Sequence, residues 1–474
     1  MSTAVVVGSG PNGLAAAIRL AQAGLAVTVV EAADRPGGGT RTSELTLPGV
    51  LHDDCAAFHP TGVASPYFAS LNLERHGLRW LWPEVDLAHP LDDGRAGLAG
   101  RNLDLASSLG VDAKSWKRLF SAAIRNFDDL IDEVFQPVAH LPGHPITLGK
   151  FGLRAALPAT ATVRRFKDDP AKALFMGVAA HTFDRLDRPL GSSVGMMLTA
   201  AAHAVGWPVA EGGTEAITRA LLAELSSLGG KVVTNTRVTA LDQLTDLVGE
   251  KPDVVMLDTA PAGALKIVGS ALPGHVRRAL TKYSYGPAAF KVDFAIEGDI
   301  PWTNEDCRRA GTLHLGGSAE QIAAGELGTV RGRMAEQPFV LLGQQYLIDP
   351  SRSSSDANPI YAYAHVPHGY TGDATEAVIN QIERFAPHFR DQIVAVSTRT
   401  PADLEAYNAN YVGGDIGAGA NTMRQIALRP RLAANPYVLG VPGVYLCSSA
   451  TPPGAGVHGM GGFHAAETAL KQLR

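Results

Sequence analysis

The sequence predicts an α/β fold. Short β-branched runs alternate with helix-period stretches at three separated places. The first is Val5-Val6-Val7, a Gly8-Ser9-Gly10-Pro11-Asn12-Gly13 turn, an alanine-rich stretch to Gly24, and a second run from Val27 to Val30. The second is an amphipathic stretch with Ile217, Leu221, Leu222 and Leu225 on one face, stopped by Gly229-Gly230 and followed by Val232-Val233. The third runs from Gly443-Val444-Tyr445-Leu446 through a Gly-Pro loop into a helical pattern from about Gly461 to Leu473.

The first stretch is a dinucleotide fingerprint in its full strand–turn–helix–strand–acid setting. Gly8 permits the tight turn. Gly10, without a Cβ, lets backbone approach a pyrophosphate, and Gly13 lets the helix lie close on the sheet. Ser9, Pro11 and Asn12 complete a turn whose N–H groups and helix dipole favour negative charge. Glu31, with Ala32 after it, stands 31 − 13 = 18 residues beyond the last glycine. That is near the ~20 expected of a carboxylate that accepts from ribose hydroxyls. The following Arg35-Pro36-Gly37-Gly38-Gly39-Thr40-Arg41-Thr42 reads by itself as a Pro-Gly turn.

Composition sets the outer bounds. With 474 residues and 46% hydrophobic, the chain can build two or three lobes with large cores. A net charge of −5 provides no basic footprint, so nucleic acid is not an expected partner. Cys55, Cys307 and Cys447 lie far apart without a CxxC, which excludes a dithiol pair and a zinc knuckle. No His/Cys/Asp set has metal spacing, so no metal is expected. The longest apolar stretch, Val194 to Trp207, carries His203 and is too short to span a bilayer. The early first strand leaves no room for a signal peptide, so a reduced, cytoplasmic protein is expected.

Further stretches carry a family likeness: His52-Asp53-Asp54-Cys55, His203-Ala204-Val205-Gly206-Trp207-Pro208, Pro301-Trp302-Thr303-Asn304, His365-Val366-Pro367-His368-Gly369, Asn410-Tyr411-Val412-Gly413-Gly414-Asp415 and Pro453-Gly454-Ala455-Gly456-Val457-His458-Gly459-Met460. With the fingerprint and glycine doublet, the chain resembles the FAD-dependent glutathione-reductase-like superfamily in its phytoene desaturase and amine oxidase branch. It looks nearest to the pyridine nucleotide-disulfide oxidoreductase domain-containing protein 2 type, over almost its whole length. The resemblance implies a discontinuous Rossmann FAD-binding domain from residues 1–60, 206–261 and 436–474. An inserted α+β substrate domain would come from 61–205, mainly helical, and 262–435. In the latter, strands are expected at Ala289 to Ile296, Phe339 to Ile348 and Ile360 to Val366, and a helix at Ala374 to Phe385.

The implied FAD-binding residues are Gly8, Ser9, Gly10, Pro11, Asn12, Gly13, Glu31, Ala32, Gly38, Gly39, Arg41, Val238, Val457, His458, Gly459 and Met460. Val238 would meet the adenine through its backbone, and the last helix would aim its N-terminus at the flavin. The implied activity is dehydrogenation or isomerisation of a hydrophobic isoprenoid, carotenoid or lipid-like substrate by hydride transfer to flavin N5. Oxygen or a quinone would accept the electrons. Peripheral membrane contact and the oligomeric state stay open.

Two departures favour the desaturase side. Amine oxidases of the branch usually carry arginine where this chain has Gly39, and an aromatic residue where it has Pro453-Gly454-Ala455-Gly456. The alternatives are a desaturase-type carotenoid ketolase, a small amine or alcohol oxidase, and a flavin-bearing scaffold with little turnover.

Among side chains, His458 is the candidate acid/base, set against a role in capping its own loop. Tyr411 and Asp415 belong to a loop that can line a pocket, with structural roles favoured. His181, His203 and His365 sit among apolar residues and read as core or surface histidines. Cys447 lies in a strand pattern and reads as a buried thiol rather than a flavin attachment point. Ala171 to Trp207, rich in Ala, Met and Val, reads as helical core or the wall of an apolar tunnel.

Overall fold

The computed structural model describes residues 2–101, 103–137 and 139–473. The β-branched runs form a five-stranded parallel sheet in the order Val444–Leu446, Val254–Leu257, Thr3–Val7, Ala26–Val30, Lys231–Val233. The first strand is central, with Val5 opposite Val255 on one side and Thr28 on the other. Parallel sheets need cover on both faces, and successive side chains supply it by pointing opposite ways. Ala4 and Val6 pack with the helices Pro11–Gln22, Glu215–Ser227 and Met460–Leu473. Val5 and Val7 pack with Ala264, Ile267, Val276 and Leu280 from the other side. Those residues belong to helices Pro261–Val268 and Gly274–Thr281, so the chain just beyond 261 covers the parallel sheet before it enters the second lobe.

The second lobe is built on a seven-stranded sheet in the order Ile393–Arg399, Ala288–Glu297, Ala357–Val366, Val340–Gly343, Ala310–Leu315, Val85–Pro90, Ala96–Ala99. All neighbours are antiparallel except Ala310–Leu315 with Val85–Pro90. Ile360, Ala362 and Ala364 face a core with Phe290, Phe294 and Phe389. Tyr361 and Tyr363 face the other way, toward the helices of residues 113–204 and the first lobe.

Residues 61–205 are mainly helical, as the sequence leads one to expect, but they also supply two strands to this sheet. Val85–Pro90 and Ala96–Ala99 are strands there. Ala-Gly-Leu-Ala has little intrinsic β preference, so pairing partners rather than composition make it a strand. The expected strand Phe339 to Ile348 is shorter: it ends at Gly343, and Gln345–Leu347 forms a 3₁₀ turn. Among the described residues, no helix is long and apolar enough to cross a membrane.

Candidate cofactor and substrate site

The first strand ends at Val7, and Gly10 caps the following helix without any side-chain bond, with Pro11 in its first turn. A helix end left open this way is suited to an anion. A Cβ on Gly13 would lie 2.2 Å from the Gly8 carbonyl oxygen, so only glycine lets the helix begin so close to the strand. Glu31 follows the second strand. Its carboxylate accepts from the Ser9 N–H at 3.0 Å, from the Ser9 hydroxyl and from the Ala33 N–H at 2.9 Å. The Arg41 guanidinium stands 3.7 Å away. The Thr236 N–H donates to the Glu31 carbonyl at 2.9 Å, which carries Val238 to the same corner. The Gly37 N–H donates to Ser9 Oγ at 3.2 Å, and Tyr407 Oη donates to the Gly38 carbonyl at 2.8 Å, tying the glycine doublet to the first turn.

These groups wall one cavity of about 1060 Å³. Gly8, Ser9, Gly10, Pro11, Asn12, Glu31, Ala32, Gly38, Gly39, Arg41, Val238 and Val457 line it. Gly13, His458, Gly459 and Met460 stand behind the lining rather than in it. Gly13 still shapes the cradle through the contact above.

His458 is where the geometry departs most from the sequence expectation. Its side chain is buried against Phe135, with ring centroids 4.9 Å apart. Its Nδ1 accepts from the Met460 N–H at 3.1 Å, and burial lowers its pKa to about 4 despite the Gly454 and Ala455 carbonyls. It caps its own loop and the last helix instead of reaching the cavity. Two of the first N–H groups of that helix are taken up inside the protein. The Gly462 N–H donates to Asn12 Oδ1 at 3.3 Å, and a Gly462 Cβ would sit 1.8 Å from the Asn12 carbonyl oxygen. The glycines at 461 and 462 thus serve the packing of two helices.

Of two further cavity residues, Asp258 escaped the sequence reading and His181 was read there as a core or surface histidine. Asp258 follows the strand Val254–Leu257, and its Oδ2 accepts from the Gly13 N–H at 3.0 Å beneath the helix end. Burial, reinforced by Glu31, raises its carboxyl to about 7. An acid directly after a β-branched strand was a usable signal, since ligands gather at strand C-terminal ends. His181, at the end of helix Asp169–Ala180, reaches the opposite end of the cavity. Its sequence neighbourhood is apolar and carries no such signal.

That opposite end is walled by Phe58, Phe183, Leu198, Trp207, Leu341 and Tyr363. The carboxylates on the described cavity lining are Glu31, Asp258, Glu405 and Asp415. Asp415 is occupied by the N–H groups of Gly286, Gly417 and Gly419, and Glu405 by that of Gly413. Tyr411 and Asp415 thus line the pocket, the latter as a loop tie. His203 is a core residue, bonded to the Gly100 carbonyl and accepting from Trp116 Nε1. Cys447 is buried with its thiol pKa pushed well up, and it stands off the lining.

The NAD(P)-binding Rossmann-like domain family matches residues 6–71. The mouse pyridine nucleotide-disulfide oxidoreductase domain-containing protein 2 is 23% identical, over 99% of this chain and 94% of its own length. A lycopene-forming phytoene desaturase from Paracoccus is 24% identical, over 97% of this chain and 95% of its own. The chain is an FAD-dependent oxidoreductase, similar over nearly its whole length to phytoene desaturases. Among solved structures, putrescine oxidase with bound putrescine aligns over 100% of this chain and 99% of its own, with a TM-score of 0.61 and 17% identity, a likeness of fold. The residues present suit FAD: a helix end whose first residue makes no side-chain cap, a glycine cradle that side chains would fill, and a cavity that continues past the cradle to an apolar end. Gly8 to Asn12 would hold the pyrophosphate, Glu31 and Val238 the adenosine end, and Gly38 to Arg41 with Val457 the remainder.

Proposed function

We propose that the protein dehydrogenates, or isomerises, a neutral hydrophobic substrate of isoprenoid, carotenoid or lipid type, with oxygen or a quinone as final electron acceptor. The observation that carries this reading is the apolar end of the cavity. Phe58, Phe183, Leu198, Trp207 and Leu341 offer an alkyl chain dispersion contacts and exclude water. An ammonium group would find no carboxylate there free of backbone partners. Bound FAD supplies a two-electron acceptor. The chain supplies the rest: the cradle fixes the cofactor, the aromatic wall orients the carbon skeleton, and Tyr361 and Tyr363, whose rings meet edge to face at 5.9 Å, stiffen one side.

The test is anaerobic. The FAD-loaded protein is mixed with phytoene in phosphatidylcholine vesicles, and separately with putrescine and cyclohexylamine. Bleaching of the flavin band by phytoene and not by the amines is expected. Bleaching by an amine alone would replace this reading with an amine oxidase.

A further inference from the structure

Behind the apolar end of the cavity lies a cluster of imidazoles that the cofactor cradle does not use. His181 Nε2 and His314 Nε2 are 2.9 Å apart, with ring planes at 89°. A bond between two imidazole nitrogens requires one to donate and the other to accept. Among the described residues nothing bonds to the second nitrogen of His181, whose side chain is on the cavity wall. His314 is fully buried on the strand Ala310–Leu315, and its Nδ1 has no partner. Close by, His89 Nδ1, His365 Nε2 and Glu326 Oε2 are also buried and unpartnered. Buried polar atoms are paired almost without exception, so several orphans in one cluster call for a chemical role. The helix carrying His181 presses onto this cluster through Gly177, where a Cβ would lie 2.7 Å from His314 Cβ and 2.8 Å from His89 Nδ1.

Resting on the substrate reading above, the geometry points to His181 as the proton acceptor of the dehydrogenation, with His314 as the positioning residue behind it. Removing two hydrogens from adjacent carbons sends one away as hydride to the bound cofactor and the other as a proton. The C–H bond of the second carbon breaks, and its electron pair becomes the new C=C. The proton passes to His181 Nδ1, while His181 Nε2–H stays bonded to His314 Nε2, which holds the ring in place. The substrate is oxidised by two electrons and the cofactor reduced by two. Departure of hydride makes the neighbouring C–H strongly acidic, so a weakly basic imidazole suffices. Burial does keep His181 weakly basic, with a pKa lowered to about 3, and so neutral and ready to accept.

Diethyl pyrocarbonate, a small apolar reagent for neutral imidazole, tests the pair on the FAD-loaded protein with peptide mapping. At about pH 5 an ordinary histidine is only about 3% neutral and reacts poorly. His181 should react there within about twofold of its rate at neutral pH. It should take one carbethoxy group in the wild type, where His314 holds Nε2, and a second only in His314→Ala. No addition at His181, or two additions in the wild type, overturns the assignment whatever the substrate proves to be. In the phytoene assay, His181→Ala should keep FAD yet bleach about 100-fold more slowly, and free imidazole should restore part of the rate. Full-rate bleaching by that variant would also overturn it. Wild-type protein left unbleached by phytoene would count against the substrate reading alone, and the labelling result would still decide the pair.

Discussion

Replacing Asp258 by asparagine removes one charge from beneath the cofactor cradle while keeping an oxygen that can accept the Gly13 N–H, 3.0 Å away. Burial, with Glu31 adding to it against the Gly13 and Gly10 N–H groups, lifts the carboxyl from 3.8 to about 7. At ~1.4 kcal/mol per pKa unit, ionisation in the folded protein is disfavoured by roughly 4 kcal/mol. The folded-state pKa lies above the unfolded one, so the folded protein holds the extra proton between 3.8 and about 7. Stability from this group is therefore greatest below that window and is lost as pH rises through it. Cys447 also faces this carboxyl and is held as a neutral thiol, while Arg41 leans on Glu31 rather than on Asp258. The FAD pyrophosphate brings further negative charge to the same helix end and should drive the carboxyl still higher. Calorimetric titration of apoprotein with FAD at about pH 8, in two buffers of different ionisation enthalpy, reads the linkage. Wild type should take up about one proton, and its affinity should fall by up to about tenfold per pH unit above neutrality. Asp258→Asn should take up almost none and bind with little pH dependence. Equal proton uptake by both proteins would refute the reasoning.

Three further outcomes are expected. Gly462→Ala places a Cβ 1.8 Å from the Asn12 carbonyl oxygen; forcing two helices apart should cost about 1–3 kcal/mol in urea unfolding and loosen FAD binding. Arg352→Met strands the buried Asp53 carboxylate, 2.6 Å from Arg352 Nη1, and should lower stability by roughly 3–5 kcal/mol, read as a fall in Tm. Cys447→Ala should leave FAD content unchanged, and acid precipitation should release all the flavin from both proteins, because the buried thiol stands off the cavity lining.

Much of the first lobe was legible because its cues are local. The turn Gly8 to Gly13, the acid at Glu31 and the β-branched runs at 27–30, 254–257 and 444–446 each state their geometry within a few residues. The second lobe was less legible because its sheet is made by distant partners. Ile393–Arg399 carries a visible β-branched alternation, but Val85–Pro90 and Ala96–Ala99 become strands only by lying beside Ala310–Leu315 and each other. The same locality misdirected attention at the site. His458 sits in a conspicuous Gly-rich loop and proves to cap it, whereas His181 gains its setting from His314, 133 residues away. Asp258 had a readable position after a strand, yet its contact with Gly13 spans 245 residues.

The most direct test of the central claim is which dinucleotide fills the cavity. Apoprotein titrated with FAD, NAD and NADP, with free ligand separated by gel filtration, should retain one FAD per chain without covalent attachment, and it should retain neither nicotinamide dinucleotide. Colourless protein that keeps NAD or NADP and refuses FAD would contradict the account.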